Sequence, residues 1–187
     1  RRAGAQSAPG LRRLRPSSSA RRSRSGPPFA TMALIGISVA VAVWTRLGDL
    51  ESVVSQLTIA SFARNGTAVS WHGLNEVASG QVWRLVTPIF VHFHILHIFF
   101  NMLWLKDLGA AIERTRSALF LLAFVLVVAV VSNLPQYVLA NHPLFGGMSG
   151  VGYSLLGYAW LRGRIDPASG LSVPQPTVIF MLIWLVA

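Results

Sequence analysis

The sequence predicts an all-α polytopic membrane protein, and three observations carry this prediction. Of the 187 residues, 53% are hydrophobic and only 12% are charged, whereas a soluble domain carries about 25% charged residues. The charged residues are clustered, so long stretches of the chain contain none. Several of these stretches approach the ~20 apolar residues that an α-helix needs to cross a bilayer.

Five apolar segments are expected to form the membrane helices. They run from Phe29 to about Thr45, from about Phe90 to Leu105, from Ala118 to about Ala140, from Ser149 to Leu161, and from Val178 to the last residue. The first three come near the length of a full span. The fifth reaches the chain end without a polar flank, so we expect the sequence to be part of a longer protein.

The fourth segment is expected to be too short to cross the bilayer. Ser149 to Leu161 is 13 residues, about 20 Å of α-helix, whereas the hydrocarbon core is about 30 Å thick. If Arg162 and Arg164 lie at one surface, Ser149 must lie below the other. A polar helix end at that depth requires a recess inside protein or a water-filled cavity.

The basic charge lies mainly at the N-terminus and does not indicate a nucleic-acid partner. The formal net charge is +10, but eight of the 16 lysines and arginines lie within the first 24 residues. Residues 1–26 are rich in Arg, Ser, Pro and Gly, so we expect a disordered tail that contacts anionic lipid headgroups. The alternative is a mitochondrial or plastid transit peptide, because the tail contains no acid. Residues 27–187 then form the membrane domain.

The distribution of positive charge predicts the orientation. A cytoplasmic N-terminus places 13 of the 16 lysines and arginines on the cytoplasmic side and leaves only Arg46, Arg64 and Arg84 outside, as the positive-inside rule favours. The recess at Ser149 then opens to the non-cytoplasmic side. The connection from about residue 46 to 88 is expected to be partly folded at the membrane surface, with turns at Gly66 and Gly73.

Residues 143–150, PLFGGMSG, contain the parts of a serine nucleophile. Paired glycines permit unusual dihedral angles and close backbone approach. A serine at the start of a helix lies near free backbone N–H groups and the positive end of the helix dipole, as a nucleophile beside an oxyanion hole requires. The alternative is structural, with Ser149 as a helix cap and the glycines as packing residues.

Residues 92–101, HFHILHIFFN, contain a second group of polar residues. His97 and Asn101 are four residues apart and share one helix face, and both side chains can donate a hydrogen bond to an oxyanion. The alternative is that Asn101 stabilises helix–helix contact. A metal site at His92, His94 and His97 is disfavoured, because their spacing scatters the rings around a helix and no acid or cysteine accompanies them. No metal or cofactor is therefore expected.

Together the two motifs resemble the rhomboid family of intramembrane serine proteases. GQVWRLVTPIFVHFHILHIFFNMLW is similar to the first loop and second helix of the family, and GGMSGVGYSLLGYAWLRGR is similar to its GxSG helix. The resemblance covers about residues 29–187. It implies a rhomboid-like bundle of the bacterial type in which about five of the six core helices are present. It also implies the bacterial inner membrane as location, with an organellar membrane as the alternative.

The resemblance also implies roles for single residues. The implied catalytic and supporting residues are Ser149 as nucleophile, His97 and Asn101 as oxyanion donors with the Ser149 backbone N–H, Gly147 in the nucleophile loop, Tyr153 packed against the catalytic histidine, and His92 as a support of the site. The Trp-Arg pair of the first loop corresponds to Trp83 and Arg84.

The sequence departs from the family pattern in two places. The Glu-x-Arg of the second helix is not matched, since Thr115 stands two residues after Glu113. The family's catalytic base is a histidine of the sixth helix in a GxxxHxxG-like context, and none of the five histidines here lies in such a context. We therefore expect the 187-residue chain alone to be inactive.

The function implied by the resemblance is that of a serine endopeptidase that cleaves transmembrane protein substrates with a Ser-His dyad. A non-catalytic rhomboid-like protein that binds transmembrane clients is the alternative. A transporter is disfavoured, because it needs ionisable residues inside several spans, and the spans here contain few besides the histidines.

Overall fold

The fold is a helical bundle with one small β-hairpin, in a computed structural model that describes residues 26–186. The α-helices are α1 (Phe29–Trp44), α2 (Glu51–Leu57), α3 (Asn75–Ala78), α4 (Ile95–Trp104), α5 (Ala110–Thr115), α6 (Ala118–Ala140), α7 (Ser149–Ile165) and α8 (Gln175–Val186). Single 3₁₀ turns span Val82–Leu85, Thr87–Phe90 and Pro167–Ser169. The tail expected over residues 1–26 lies, except for its last residue, outside the described residues.

Among the described residues, two helices are long and apolar enough to cross a membrane. One π-helical turn, Leu105–Gly109, joins α4 to α5 and gives a continuous helix of 21 residues from Ile95 to Thr115. The other is α6, with 23 residues, and α1 is a shorter apolar helix of 16 residues. The predicted helical bundle is confirmed. The loop between α1 and α4 adds one small hairpin to this predominantly helical fold.

The second predicted segment has different ends in the structure. The helix starts at Ile95 rather than about Phe90, because the chain around Pro88 forms a 3₁₀ turn and the segment that follows is extended. It also continues ten residues past Leu105 to Thr115. Hydropathy gave too early an end, since the charged residues Lys106 and Asp107 lie within the helix and are exposed.

The fourth segment is longer than predicted. Its helix, α7, ends at Ile165 rather than Leu161 and has 17 residues, about 26 Å of α-helix. The end of α7 is held by an ion pair in which Arg162 donates to Asp166 across 2.6 Å. The helix remains shorter than the ~30 Å hydrocarbon core, but by a smaller margin than the sequence suggested.

The loop between α1 and α4 is folded around one buried arginine. Strands β1 (Phe62–Asn65) and β2 (Ala68–Trp71) pair antiparallel, and Gly66 makes the turn with a φ of 61°. The Arg84 guanidinium donates to the carbonyls of Ser55 and Thr58 at 2.8 and 2.9 Å. Burial lowers the pKa of Arg84, and the charge of nearby Glu76 opposes this shift.

The bundle core lies where α6 and α7 meet. The buried face of α6 repeats every fourth residue: Leu121, Val125, Ala129 and Asn133. It packs against the buried face of α7, which includes Val151 and Leu155. At Gly150 a Cβ atom would stand 2.9 Å from the Ser132 side chain. The helices therefore approach closely at the start of α7, as small residues allow in membrane bundles.

The Glu113 carboxylate caps the start of α1. It accepts hydrogen bonds from the backbone N–H groups of Ala30 and Thr31 at 2.9 and 2.8 Å and from the Thr31 hydroxyl at 2.7 Å. A carboxylate is stabilising there because it satisfies unpaired donors and lies at the positive end of the helix dipole. Glu113, the glutamate of the incomplete Glu-x-Arg pattern, is thus bonded to the start of α1.

Candidate active site

The loop before α7 is held against the segment before α4 by two glycines. A Cβ atom on Gly146 would stand 2.6 Å from the Val91 carbonyl oxygen and 3.0 Å from that of Pro88. The Gly147 N–H donates to the Pro88 carbonyl at 3.1 Å, and Gly147 has a φ of 115°. A Cβ atom on Gly147 would overlap the His97 ring. These contacts bring the start of α7 beside α4.

Ser149 is the first residue of α7, and its hydroxyl is unbonded among the described residues. The N-cap position is occupied by Met148, and no side chain there makes a capping hydrogen bond. Ser149 itself is half-buried. A serine that stabilised the helix start would accept a hydrogen bond from a backbone N–H, so this geometry gives the capping interpretation no support.

Three side chains of the second motif form a network beside this loop. The His92 Nδ1 lies 3.1 Å from the Phe90 carbonyl oxygen and must donate to it. In the neutral ring Nε2 is then an acceptor, and the Asn101 amide donates to it at 3.1 Å. The His92 and His97 rings meet edge to face with centroids 5.3 Å apart. His92 is fully buried and Asn101 is 6% exposed, so the network is fixed by packing.

Tyr153 contacts α8. Tyr153 lies one turn further along α7 than Ser149. Its hydroxyl donates to the backbone carbonyl of Met181 at 2.8 Å. Among the described residues this carbonyl is the hydrogen-bond partner of Tyr153, and the packing of its ring against a catalytic histidine, implied by the resemblance, stays a prediction. Within residues 26–186, no group of three His, Cys, Asp or Glu side chains is placed to hold a metal ion.

The family model of the rhomboid domain matches residues 79–187, more than half of the chain. The chain belongs to the rhomboid family. The resemblance read from the two motifs is thereby confirmed, and with it the assignment of the apolar helices to a rhomboid helical membrane bundle. As a rhomboid, this chain is an integral membrane protein.

Curated relatives agree with the rhomboid assignment. The rhomboid protease GlpG homolog of Cronobacter sakazakii is 46% identical over 105 residues, which cover 56% of this chain and 38% of that protein. The rhomboid protease GlpG of Salmonella newport is 36% identical over 166 residues, 89% of this chain and 54% of the relative. The rhomboid protease GlpG of Salmonella heidelberg has the same identity and the same coverage of both chains. This rhomboid chain therefore spans about half the length, or less, of these relatives.

Some contacts of this rhomboid site could not be read from the sequence. The Pro88 carbonyl accepts from the Gly147 N–H, and the Met181 carbonyl accepts from the Tyr153 hydroxyl. Every residue has a backbone carbonyl, so the sequence does not single out these two acceptors. Ser132 of α6 touches Gly150, but a serine inside a long apolar helix carries no spacing that singles it out. The glycines were the available signal, because close approach requires them.

Substitution of Gly147 by alanine should destabilise this loop. The φ of 115° is unfavourable for any residue with a Cβ atom, and the methyl group would overlap the His97 ring. We expect a loss of roughly 1–3 kcal/mol in the free energy of unfolding, measured by thermal denaturation in detergent. Gly157→Ala in α7 is the matched control, because a Cβ there meets nothing within 4 Å. Equal stability of the two variants would contradict this description of the loop.

Proposed function

We propose that the chain supplies the nucleophile and the oxyanion donors of an intramembrane serine endopeptidase that cleaves transmembrane protein substrates. The observation that carries the proposal is the position of Ser149. It starts a helix, its hydroxyl is unbonded among the described residues, and the glycine loop beside it is packed against His97. The relatives, which are rhomboid proteases of the GlpG type, support the same activity.

In the proposed reaction the Ser149 hydroxyl oxygen attacks the scissile carbonyl carbon. The hydroxyl proton passes to a histidine, and the carbonyl oxygen becomes an oxyanion. Collapse of this intermediate breaks the C–N bond, and the leaving amine takes the proton from the histidine. Water then hydrolyses the acyl-enzyme by the same steps. No metal or cofactor takes part.

The oxyanion would be bound by His97, Asn101 and the Ser149 backbone N–H. The first N–H groups of a helix have no partner within the helix and can donate to a ligand. One N–H of the Asn101 amide is bonded to His92, which orients the amide and leaves its second N–H to donate. His92 therefore acts as a positioning residue for Asn101, and Gly147 gives the loop its path.

The proton acceptor is proposed to be a histidine outside these 187 residues. Within residues 26–186 no histidine bonds Ser149. His92 bonds Phe90 and Asn101, His97 packs on Gly147, and His142 accepts from the Leu144 N–H at 3.1 Å. A serine hydroxyl in a low-dielectric recess is a poor nucleophile without a base.

The proposal is tested by cleavage of a model transmembrane substrate in proteoliposomes. The 187-residue chain and the native full-length protein are compared at equal amounts. We expect cleavage by the longer protein only, unchanged by a metal chelator. Equal cleavage by the 187-residue chain would show that the base lies within it. Substrate binding without cleavage by either protein would favour a non-catalytic rhomboid-like function.

We also propose that the protein lies in the bacterial inner membrane with a cytoplasmic N-terminus. Residues 1–26 then form the basic tail at the anionic headgroups, and residues 27–187 form the membrane domain. The 13-to-3 division of lysines and arginines supports this orientation. With it, Ser149 faces the non-cytoplasmic side, and the loop that contains the hairpin lies on that side as well.

Cysteine labelling in intact cells tests the orientation. The chain has no cysteine, so Thr67→Cys in the hairpin turn and Ala168→Cys after α7 each give a single site, and both positions are exposed. An impermeant thiol reagent should label residue 67 and leave residue 168 unlabelled until the cells are lysed. Labelling of residue 168 but not of residue 67 in intact cells would show the opposite orientation.

A further inference from the structure

A large apolar groove runs between α1 and α4 on the outside of the bundle. Its volume is about 1020 Å³. The walls include Met32, Val39 and Val43 from α1 and Phe99, Met102 and Leu103 from α4. Val43 is 73% and Phe99 59% exposed. None of the catalytic or supporting residues of the proposed active site lines this groove.

The two ends of the groove are basic. Arg46 lies just after α1, and Lys106 lies in the π-helical turn after α4; both line the groove, and no acidic residue does. Neither side chain forms an ion pair within residues 26–186. Since α1 and α4 are antiparallel in the bundle, these cations lie at opposite ends of helical walls on the order of 20 Å long.

The position of Arg46 is fixed by the backbone. The chain leaves α1 through a turn in which Arg46 and Leu47 have φ values of 51° and 54°. The turn is closed by the Leu47 N–H bonded to the Ala42 carbonyl at 2.8 Å and the Leu50 N–H bonded to the Thr45 carbonyl at 3.0 Å. The following Gly48 packs against the Phe93 ring. This turn therefore holds a cation at the mouth of the groove.

We propose that this groove is a binding site for anionic phospholipids, with acyl chains between α1 and α4 and headgroup phosphates at Arg46 in one leaflet and Lys106 in the other. Apolar walls suit acyl chains, and the long Arg and Lys side chains reach from the hydrocarbon edge to the headgroups. Basic pockets between transmembrane helices select anionic headgroups in this way.

The charges favour a lipid over a protein helix. Transmembrane helices carry lysines and arginines at their cytoplasmic flank, and such a flank would meet either Arg46 or Lys106 with like charge. Phospholipids offer a phosphate at both membrane surfaces, so both cations are matched. A second copy of the chain or a substrate helix is therefore an outcome to be tested against the lipid.

Native mass spectrometry of the full-length protein in detergent tests the proposal. Phosphatidylglycerol and phosphatidylethanolamine with identical acyl chains are added in turn, and the bound lipids are counted. Phosphatidylglycerol should bind more tightly. Arg46→Gln and Lys106→Gln should each weaken its binding about fivefold, the fold-change that ~1 kcal/mol per surface cation gives. They should weaken phosphatidylethanolamine binding less, because the ammonium group of that lipid offsets the charge of its phosphate.

Two matched controls distinguish lipid binding in this groove from effects of lost charge or added side-chain bulk elsewhere on the protein. Arg114→Gln removes another exposed cation, one that lies outside the groove, and should leave lipid binding unchanged. Val39→Trp fills the groove and should weaken binding of both lipids, whereas Val131→Trp on the exposed face of α6 should not. Equal affinity for the two lipids, an equal loss in Arg114→Gln, or a doubled mass in place of lipid adducts would each overturn the proposal.

Discussion

Substitution of Ser149 by alanine should abolish substrate cleavage by the full-length protein and leave its fold intact. The hydroxyl is the atom that forms the acyl-enzyme, so nothing replaces it in the variant. Residual catalysis from the oxyanion donors alone is weak. Because the hydroxyl makes no hydrogen bond among the described residues, its removal should change the free energy of unfolding by less than about 0.5 kcal/mol. Cleavage rate and thermal denaturation are measured on the same preparation.

Ser154→Ala is the matched control for this prediction. Ser154 lies on the same helix and is half-buried, but it is five residues away and faces another direction. It should retain the cleavage rate of the unaltered protein. Persistent cleavage in Ser149→Ala, or its loss in both variants, would contradict the role of Ser149 as nucleophile.

Substitution of Asn101 by alanine should lower kcat by about 10²-fold, the order found when one oxyanion donor is removed. KM should change much less, because the oxyanion develops only on the way to the transition state. The variant also leaves the His92 Nε2 without its hydrogen-bond donor, so a modest loss of stability is expected besides the kinetic effect. Steady-state kinetics on the folded fraction separates the two effects.

Asn133 offers a control for a purely structural asparagine. It is 4% exposed in α6, and its amide donates to the Leu85 carbonyl at 2.9 Å. Asn133→Ala should lower stability through the unpaired carbonyl while the folded fraction keeps its kcat. If Asn101→Ala behaved in the same way, the role of Asn101 would be helix packing.

The sequence predicted the ends of α6 well and the ends of the helix that begins with α4 poorly, for a physical reason. Residues 118–131 form an unbroken apolar run after Ser117, whose hydroxyl accepts from the Phe120 N–H at 3.0 Å and caps the helix. In contrast, the continuous helix that begins with α4 runs on through Lys106 and Asp107, because the π-helical turn Leu105–Gly109 leaves both side chains exposed. Hydropathy marks where a helix meets lipid and does not mark where its hydrogen bonds stop.

The candidate site was predicted as a set of residue types but not as a geometry. The glycines and the helix start at Ser149 follow from local rules. The hydrogen bond from Asn101 to His92 does not, because His92 precedes the helix and reaches Asn101 only through the extended backbone around residue 94. The cap of α1 by Glu113 joins residues more than 80 positions apart, and the sequence contains no local signal for it.

The most direct test of the central claim is chemical modification of Ser149. The full-length protein is treated with a fluorophosphonate, digested, and examined by mass spectrometry for the peptide that carries the adduct. A fluorophosphonate phosphonylates a serine only where its oxygen is activated as a nucleophile, so one adduct is expected, on Ser149, with loss of cleavage in proportion to labelling. An adduct on another serine, or complete inactivation with Ser149 unmodified, would contradict the assignment of Ser149 as the nucleophile.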